Sequence, residues 1–431
     1  MSRPLDFFGY QNGQLSAGGI ELSEITKKVG TPVYVYSADG FLSPLQALQK
    51  GLSPLRESTI CYAVKSNSSL AILKLLGSAG AGADLVSGGE LYRAKLAEIA
   101  PEKIVFSGVG KTAEEILSGL RYGPNGIYSF HVESIEELKL IQETAKRHQL
   151  TARVAFRLNP NINPKTHPYI STGLKRNKFG LQREELLEAA KLSVNMSHVQ
   201  LCGLSIHIGS QLLSLDPLKE AFLALSQVIG DVEAIISRPL EFADLGGGVG
   251  VSYELKGPRP PRLSDYTKLI VKAFGARSVF KSRLRVLIEP GRTLSANAGV
   301  LVTQVLFRKH RRKKDFLIVD AGMNDLIRPA LYQSKHAVVP VRRNSRGKSF
   351  PTDLVGPVCE SSDCFASEIP LSSQLQAGDQ LALLSSGAYG MSMAGTYNSR
   401  VRPAEVLIKD GQWRVIRDRE TLEDLVRGEH L

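Results

Sequence analysis

Short apolar runs, each bounded by glycine or polar residues, recur through the first two thirds of the chain. They predict eight strands, at 60–65, 82–86, 103–106, 126–130, 152–157, 201–206, 241–245 and 285–288. Between them lie stretches with helical spacing, such as those opening at Ser134-Ile135-Glu136-Glu137-Leu138 and Arg183-Glu184-Glu185-Leu186-Leu187. Strand and helix alternating eight times over roughly 250 residues predict a (β/α)8 barrel. An open doubly wound sheet is the competing architecture, but it would not bring its first and last strands together.

The rhythm changes after Arg292. Helical spacing nearly vanishes, and strand-like pieces follow closely at 300–307, 316–319, 337–341, 380–384, 401–408 and 413–416. This predicts a C-terminal antiparallel β domain over 293–431, behind a barrel over 37–292. The N-terminal segment 1–36, with a helical turn at 22–29 and a strand at 32–36, is expected to pack on the β domain. The proline-rich piece 256–262 reads as a stiff surface loop within the barrel.

Composition narrows the class. A chain of 431 residues can bury more than one core, and no apolar run is long enough to span a bilayer. Its start lacks a secretory apolar region, and its four cysteines show no metal-ligand spacing, so a reduced, cytoplasmic protein without a metal site is expected. The net charge of +12 and the run Arg308-Lys309-His310-Arg311-Arg312-Lys313-Lys314 raise nucleic-acid binding. The run joins two strand-like segments and carries no interleaved aromatics, so a solvated hairpin is the plainer account.

Barrels of this kind keep their chemistry at the C-terminal strand ends. There the chain places Lys65, His207, Gly246, Gly247, Gly248, Glu289 and Arg292. A lysine closing an apolar strand is either paired or pushed toward its neutral, nucleophilic form, and Schiff-base formation is the usual use of such an amine. A lysine that simply reaches solvent explains the position as well. The glycine run after the seventh strand lets backbone amides approach a phosphate, aided by a following helix N-terminus, though a tight turn would also need glycine. Its spacing does not match the dinucleotide fingerprint. Glu289 could hold a pyridine nitrogen protonated, or form an internal ion pair with Arg292. His207 could stack on a flat ring, or be a hydrogen-bonded strand end.

Taken together, Tyr62-Ala63-Val64-Lys65-Ser66-Asn67, His207-Ile208-Gly209-Ser210, the Gly246 to Gly248 run and Glu289-Pro290-Gly291-Arg292 resemble the fold-type III pyridoxal-phosphate decarboxylases, and within them the diaminopimelate decarboxylases. Further similar stretches are 167–173 with Lys178-Phe179-Gly180, then 320–332, 356–363 and Gly387-Ala388-Tyr389-Gly390. Ser362 departs from the pattern, where glycine is expected.

The resemblance implies pyridoxal 5'-phosphate as cofactor, with Lys65 as its Schiff-base lysine, His207 stacked on the ring and Glu289 on the ring nitrogen. Ser210, Gly246, Gly247, Gly248, Gly291 and Arg292 would surround the phosphate, with Tyr389 reaching the cofactor. Cys359 would be the proton donor, supplied across the interface of a homodimer with shared active sites. Arg292, Arg328, Tyr332, Glu360 and Tyr389 would bind the substrate. An arginine can grip a carboxylate through two hydrogen bonds and Glu360 could meet an ammonium, which suits meso-diaminopimelate, whose far end is itself an amino acid. Arg328 could instead pair with Asp325. The same fold acting on ornithine, arginine, carboxynorspermidine or a carrier-bound glutamate stays open, as do an amino-acid racemase and a cofactor-carrying protein without turnover.

Overall fold

The computed structural model describes residues 3–163, 173, 177–275, 284–343 and 348–431. The similar stretch His167 to Thr172 lies outside them. The chain divides into two compact units, one comprising 42–250 and 260–293, the other 2–41, 251–259 and 294–431. Residues 251–259 thus belong to the second unit, although they fall inside the span expected for the barrel.

The first unit is a closed barrel of eight parallel strands: Ser58–Ala63, Gly82–Leu85, Ile104–Phe106, Ser129–Val132, Ala152–Leu158, Val199–Ile206, Phe242–Asp244 and Arg285–Ile288. Closure sets the first strand beside the last, with Ile60 opposite Ile288. Helices follow each of the first seven strands, and local chemistry starts several of them. Thr112 and Glu115 form a reciprocal capping box ahead of Ala113–Leu120, and Ser134 caps Ile135–Arg147. Inside the barrel, Cys61, Val105, Ala155 and Phe242 come from the first, third, fifth and seventh strands and pack with Cys202 and Leu287. Layers drawn from alternate strands are how such a barrel fills its interior.

Two details differ from expectation. The first strand ends at Ala63, and Lys65 sits in the 3-10 turn Val64–Ser66 just beyond it. The fourth strand runs through His131, which is therefore a fully buried interior residue instead of a strand-end residue.

The second unit is built on a nine-stranded sheet plus a small N-terminal sheet of Gly9–Gln11, Gln14–Ala17 and Ile20–Glu21. Val33–Ser37, buried along its whole length, pairs antiparallel with Gly299–Lys309 and parallel with Ala404–Lys409. Asp315–Val319 and Ser349–Val355 are also parallel, so the sheet is mixed, not purely antiparallel. Ser349–Val355 and Cys364–Ser372 were not expected as strands. Pro351 and Asp353 interrupt the apolar pattern of one, and Glu368 and Pro370 that of the other. The core joins Phe8, Leu15, Leu22 and Ile25 to Val33, Val35, Val300, Val302, Leu384 and Val406.

The basic run forms the hairpin between Gly299–Lys309 and Asp315–Val319. Its ends are tied down, Arg308 to Asp315 at 2.7 Å and Lys314 to Asp353 at 2.6 Å, while 309–313 are exposed. Among the described residues, no helix is long and apolar enough to cross a membrane.

Candidate active site

At the C-terminal ends of the barrel strands, Lys65, Ser107, His131, Arg157, Ser205, His207 and Glu289 line a cavity of about 170 Å³. Closure creates this grouping. The Ala63 N–H donates to the Pro290 carbonyl at 3.3 Å, which draws the Lys65 turn against the Glu289 turn. Gly291 belongs to the same contact, since a Cβ there would lie 3.0 Å from that of Ala63 and 3.2 Å from the Ser66 hydroxyl.

The Lys65 ammonium lies 2.6 Å from Asp84, a fully buried carboxylate on the second strand. An apolar setting for the amine is therefore not what the barrel provides; a counter-ion is. Burial raises the Asp84 carboxyl above its ordinary value and the charge of Glu289 adds to this, with Lys65 opposing both. Glu90, whose carboxylate accepts the Val86 N–H, is pushed up to about 7 by burial, against the pull of Lys65.

The Glu289 carboxylate faces Ser107 and His131, each 3.5 Å from Oε1. Burial alone would raise Glu289; His131, Lys65 and His207 overcome it and hold the group down at about 2. Arg292 is not its partner, because the guanidinium donates from Nε and Nη2 to the Ser210 hydroxyl at 3.2 and 3.1 Å. The internal Glu289–Arg292 ion pair is thus excluded, and Arg292 and Ser210 form one cluster.

His207 is neutral, its imidazole pushed down to about 3 by burial and then by the Arg157 charge. Its Nδ1 accepts the Gly247 N–H at 3.2 Å, which orients the ring. Behind it Arg157 donates to the His207 carbonyl at 3.4 Å and is held by Glu133 at 2.6 Å.

The glycine turn has a steric reason for its composition. Gly246 and Gly248 have φ of 63° and 109°, and a Cβ on Gly247 would lie 2.1 Å from the Glu289 carbonyl oxygen. The expected helix N-terminus does not follow this turn, since the next helix, Leu263–Phe274, begins well beyond it. Any anion here would rest on backbone amides, Ser210 and Arg292.

These residues fit pyridoxal phosphate. A lysine amine, a flat uncharged imidazole and an ionised carboxylate line one cavity, and the Ser210–Arg292 pair follows closely in sequence on two of the turns that form it. The buried Ser205 hydroxyl there finds no hydrogen-bond partner among the described residues.

The remaining expected residues lie in the second unit. Arg328 is buried, lies 4.7 Å over the Tyr253 ring, and reaches Ser334 at 3.2 Å and His336 at 3.3 Å. Asp325 is not its partner, as that carboxylate accepts from Gly322 and Asn324. Tyr332 is half-buried at the end of the short helix Arg328–Tyr332. Cys359 is exposed, with its N–H donated to Asn398 at 2.9 Å, and Glu360 accepts the Tyr397 hydroxyl at 2.6 Å. Tyr389 has φ of 55° and packs at a small cluster of Val251, Ala296 and Ala388.

Residues 43–296 match the family model described as pyridoxal-dependent decarboxylase, pyridoxal binding domain. The chain belongs to the pyridoxal-dependent decarboxylases. Within this family it is 41% identical to the diaminopimelate decarboxylase of Aquifex aeolicus, covering 97% of this chain and 96% of that one. It is 45% identical to that of Helicobacter pylori strain J99, over 94% and 97%. A crystal structure of diaminopimelate decarboxylase from M. jannaschii with L-lysine superposes with a TM-score of 0.90, at 38% identity over 99% of this chain and 98% of that one.

Sequence reasoning passed over several residues of this decarboxylase barrel, namely Asp84, Ser107, His131 and Arg157. A polar side chain inside an otherwise apolar strand, as in Gly82-Ala83-Asp84-Leu85, was the available signal.

Proposed function

We propose that the chain decarboxylates meso-diaminopimelate to L-lysine and carbon dioxide, the last step of lysine biosynthesis, with pyridoxal 5'-phosphate as cofactor. The single observation that carries this is the barrel cavity, where Lys65, neutral His207 and ionised Glu289 converge beside the Ser210–Arg292 cluster. When bound, the cofactor supplies an electron sink for the carbanion left by the departing carboxylate.

The chain's own residues do the rest. Lys65 is the amine that would hold the cofactor and give way to the substrate amine, and Asp84 keeps it within the cavity. His207, oriented by Gly247, presents a flat uncharged face. Glu289, held ionised, is the partner for the ring nitrogen. Arg292, Ser210, Gly291 and the Gly246, Gly247 and Gly248 amides hold the phosphate. Cys359 is the proton donor to the substrate carbon, and its exposed position suits a residue offered to the site of a partner copy in a homodimer. Arg328 takes the distal carboxylate, with Tyr332, Tyr389 and Arg292 lining the substrate and Glu360 meeting its distal ammonium. Four cysteines free of disulfides are consistent with a cytoplasmic location.

Carbon dioxide release from purified protein, measured against meso-diaminopimelate, ornithine, lysine and arginine, tests the assignment. The expected result is turnover of meso-diaminopimelate far above the others. Faster turnover of ornithine or lysine would move the assignment to a diamine-forming decarboxylase.

A further inference from the structure

Beneath the cavity, His131 sits between two buried carboxylates. Its Nδ1 lies 3.5 Å from Glu289 Oε1 and 3.2 Å from the Ser107 hydroxyl, and its Nε2 lies 3.8 Å from Asp244 Oδ2. His131 and Asp244 are at most 1% exposed and Glu289 is 8% exposed. Donor atoms of the three side chains all fall within 4.8 Å of one another.

Two carboxylates this close in a dry interior cannot both be ionised without compensating positive charge or a shared proton. Each oxygen's partners show where compensation comes from. Asp244 Oδ1 accepts the Gly246 N–H at 2.8 Å, while Asp244 Oδ2 and His131 Nε2 have no hydrogen-bond partner among the described residues. They face each other, short of hydrogen-bond distance by a small shift. With Asp244 donating a proton from Oδ2 to Nε2, the ring N–H would lie at Nδ1 and donate to Glu289. The His131 ring also packs on Phe242, centroids 6.3 Å apart and 25° between planes, so it cannot turn freely.

We propose that His131, braced by Asp244 and Ser107, is a positioning residue that holds Glu289 ionised and aimed at the cofactor's ring nitrogen. This deepens the proposed function and rests on its assignment of Glu289. The charge surroundings agree. Among the influences that lower Glu289 against its burial, the hydrogen bond and charge of His131 come first, ahead of Lys65 and His207. Asp244 is driven the other way, by burial and by the Glu289 and Asp84 charges, so of the two acids it is Asp244 that is pushed toward its protonated form. Other titratable groups near the pair are Asp84 from the second strand, with its Lys65 partner, His207 from the loop after the sixth, and the buried Cys61 and Tyr266, both pushed up by burial and by the two acids.

A comparison of two cofactors isolates this role. Apoprotein is titrated with pyridoxal phosphate and with its 1-deaza analogue, in which CH replaces the ring nitrogen, and affinity is read from absorbance and fluorescence. Wild type should prefer pyridoxal phosphate by about tenfold or more, the scale of one charge-assisted hydrogen bond. His131→Phe, or the smaller His131→Leu if the phenyl ring does not fit, should reduce that preference to about threefold or less. His131→Asn, which restores one N–H donor, should recover part of it. Thermal melting of each apoprotein verifies folding.

Equal preference in wild type and His131→Phe overturns the inference while leaving the Glu289 assignment intact. An equal loss of affinity for both cofactors also overturns it, because it reports a merely structural role. If wild type itself shows no preference between the two, the Glu289 assignment fails.

Discussion

Glu289 in the barrel unit and Asp325 in the β unit are both buried carboxylates, and their surroundings drive them in opposite directions. Glu289 faces His131, Lys65 and His207, which hold it down at about 2 in spite of its burial. Asp325 is pushed up to about 7 by burial; its carboxylate accepts the Gly322 N–H at 2.8 Å and an Asn324 amide N–H at 2.9 Å, and its carbonyl accepts the Tyr34 hydroxyl at 2.6 Å. The first set of contacts builds a fixed negative charge beside a cavity. The second ties down a loop and leaves the acid close to neutral. A buried acid is therefore not a site by itself; the chemistry of its neighbours decides. The same contrast separates Lys65, paired with Asp84, from Cys359, which stands exposed on the β unit.

If the barrel cluster is the reacting centre, the largest effect comes from its lysine. Lys65→Ala should lower carbon dioxide release on the order of 10⁴-fold, since neither cofactor attachment nor substrate exchange has another amine to use. Wild type should absorb as a Schiff base and lose that band on borohydride reduction, with Lys65 as the labelled residue. Labelling at another lysine would break the assignment of the cavity.

The exposed β-unit residues are expected to act on a partner copy's barrel. Cys359→Ala alone should cost on the order of 10³-fold, within the usual range for a positioned proton donor. Mixed with Lys65→Ala and allowed to exchange subunits, it should regain activity. About half of the dimers would be heterodimers, each with one intact site, giving roughly a quarter of wild-type activity. Tagging one variant verifies exchange. Heterodimers that form without activity would place Lys65 and Cys359 in one chain's site.

Arg328 sharpens the substrate side. Its guanidinium is already held by Ser334, His336 and the Tyr253 face, so little ordering is needed when a carboxylate arrives. Arg328→Ala should weaken meso-diaminopimelate by about 2–3 kcal/mol, mainly in KM. An unchanged KM with a lowered kcat would remove Arg328 from substrate binding.

The barrel residues that sequence reasoning reached are those that end strands. Lys65, His207 and Glu289 interrupt an apolar run where a strand must stop, so their position is readable from periodicity. Asp84, His131 and Asp244 were harder to read because one or two polar residues in a three- or four-residue strand hardly disturb its pattern, and their partners come from other strands. The competing pairings Glu289–Arg292 and Arg328–Asp325 were reasonable from sequence proximity. Both gave way to partners remote in sequence or on the far side of a turn, Ser210 for one and His336 for the other. In the β unit, Pro351, Asp353, Glu368 and Pro370 hid two strands, which the sheet tolerates toward one edge.

The smallest predicted effect measures the opening contrast directly. A carboxyl raised in the folded state binds a proton that the unfolded chain has already released, so folding takes up a proton between about pH 4 and pH 7 at Asp325. That contribution to stability is present at the acid end of the window and is lost as the pH rises through it. Glu289 has the opposite sign: its contribution is present above the ordinary glutamate range and fades only as the pH falls toward about 2. Asp325→Asn removes the first dependence without touching the second. Relative to wild type, the variant should therefore gain on the order of 2–3 kcal/mol between pH 4.5 and pH 7.5, whatever constant cost it carries for altered contacts with Gly322. Urea unfolding of both proteins across that range gives the difference. Parallel curves, with no change in the gap between the two proteins, would mean that Asp325 is ionised at neutral pH and that the two buried acids do not differ.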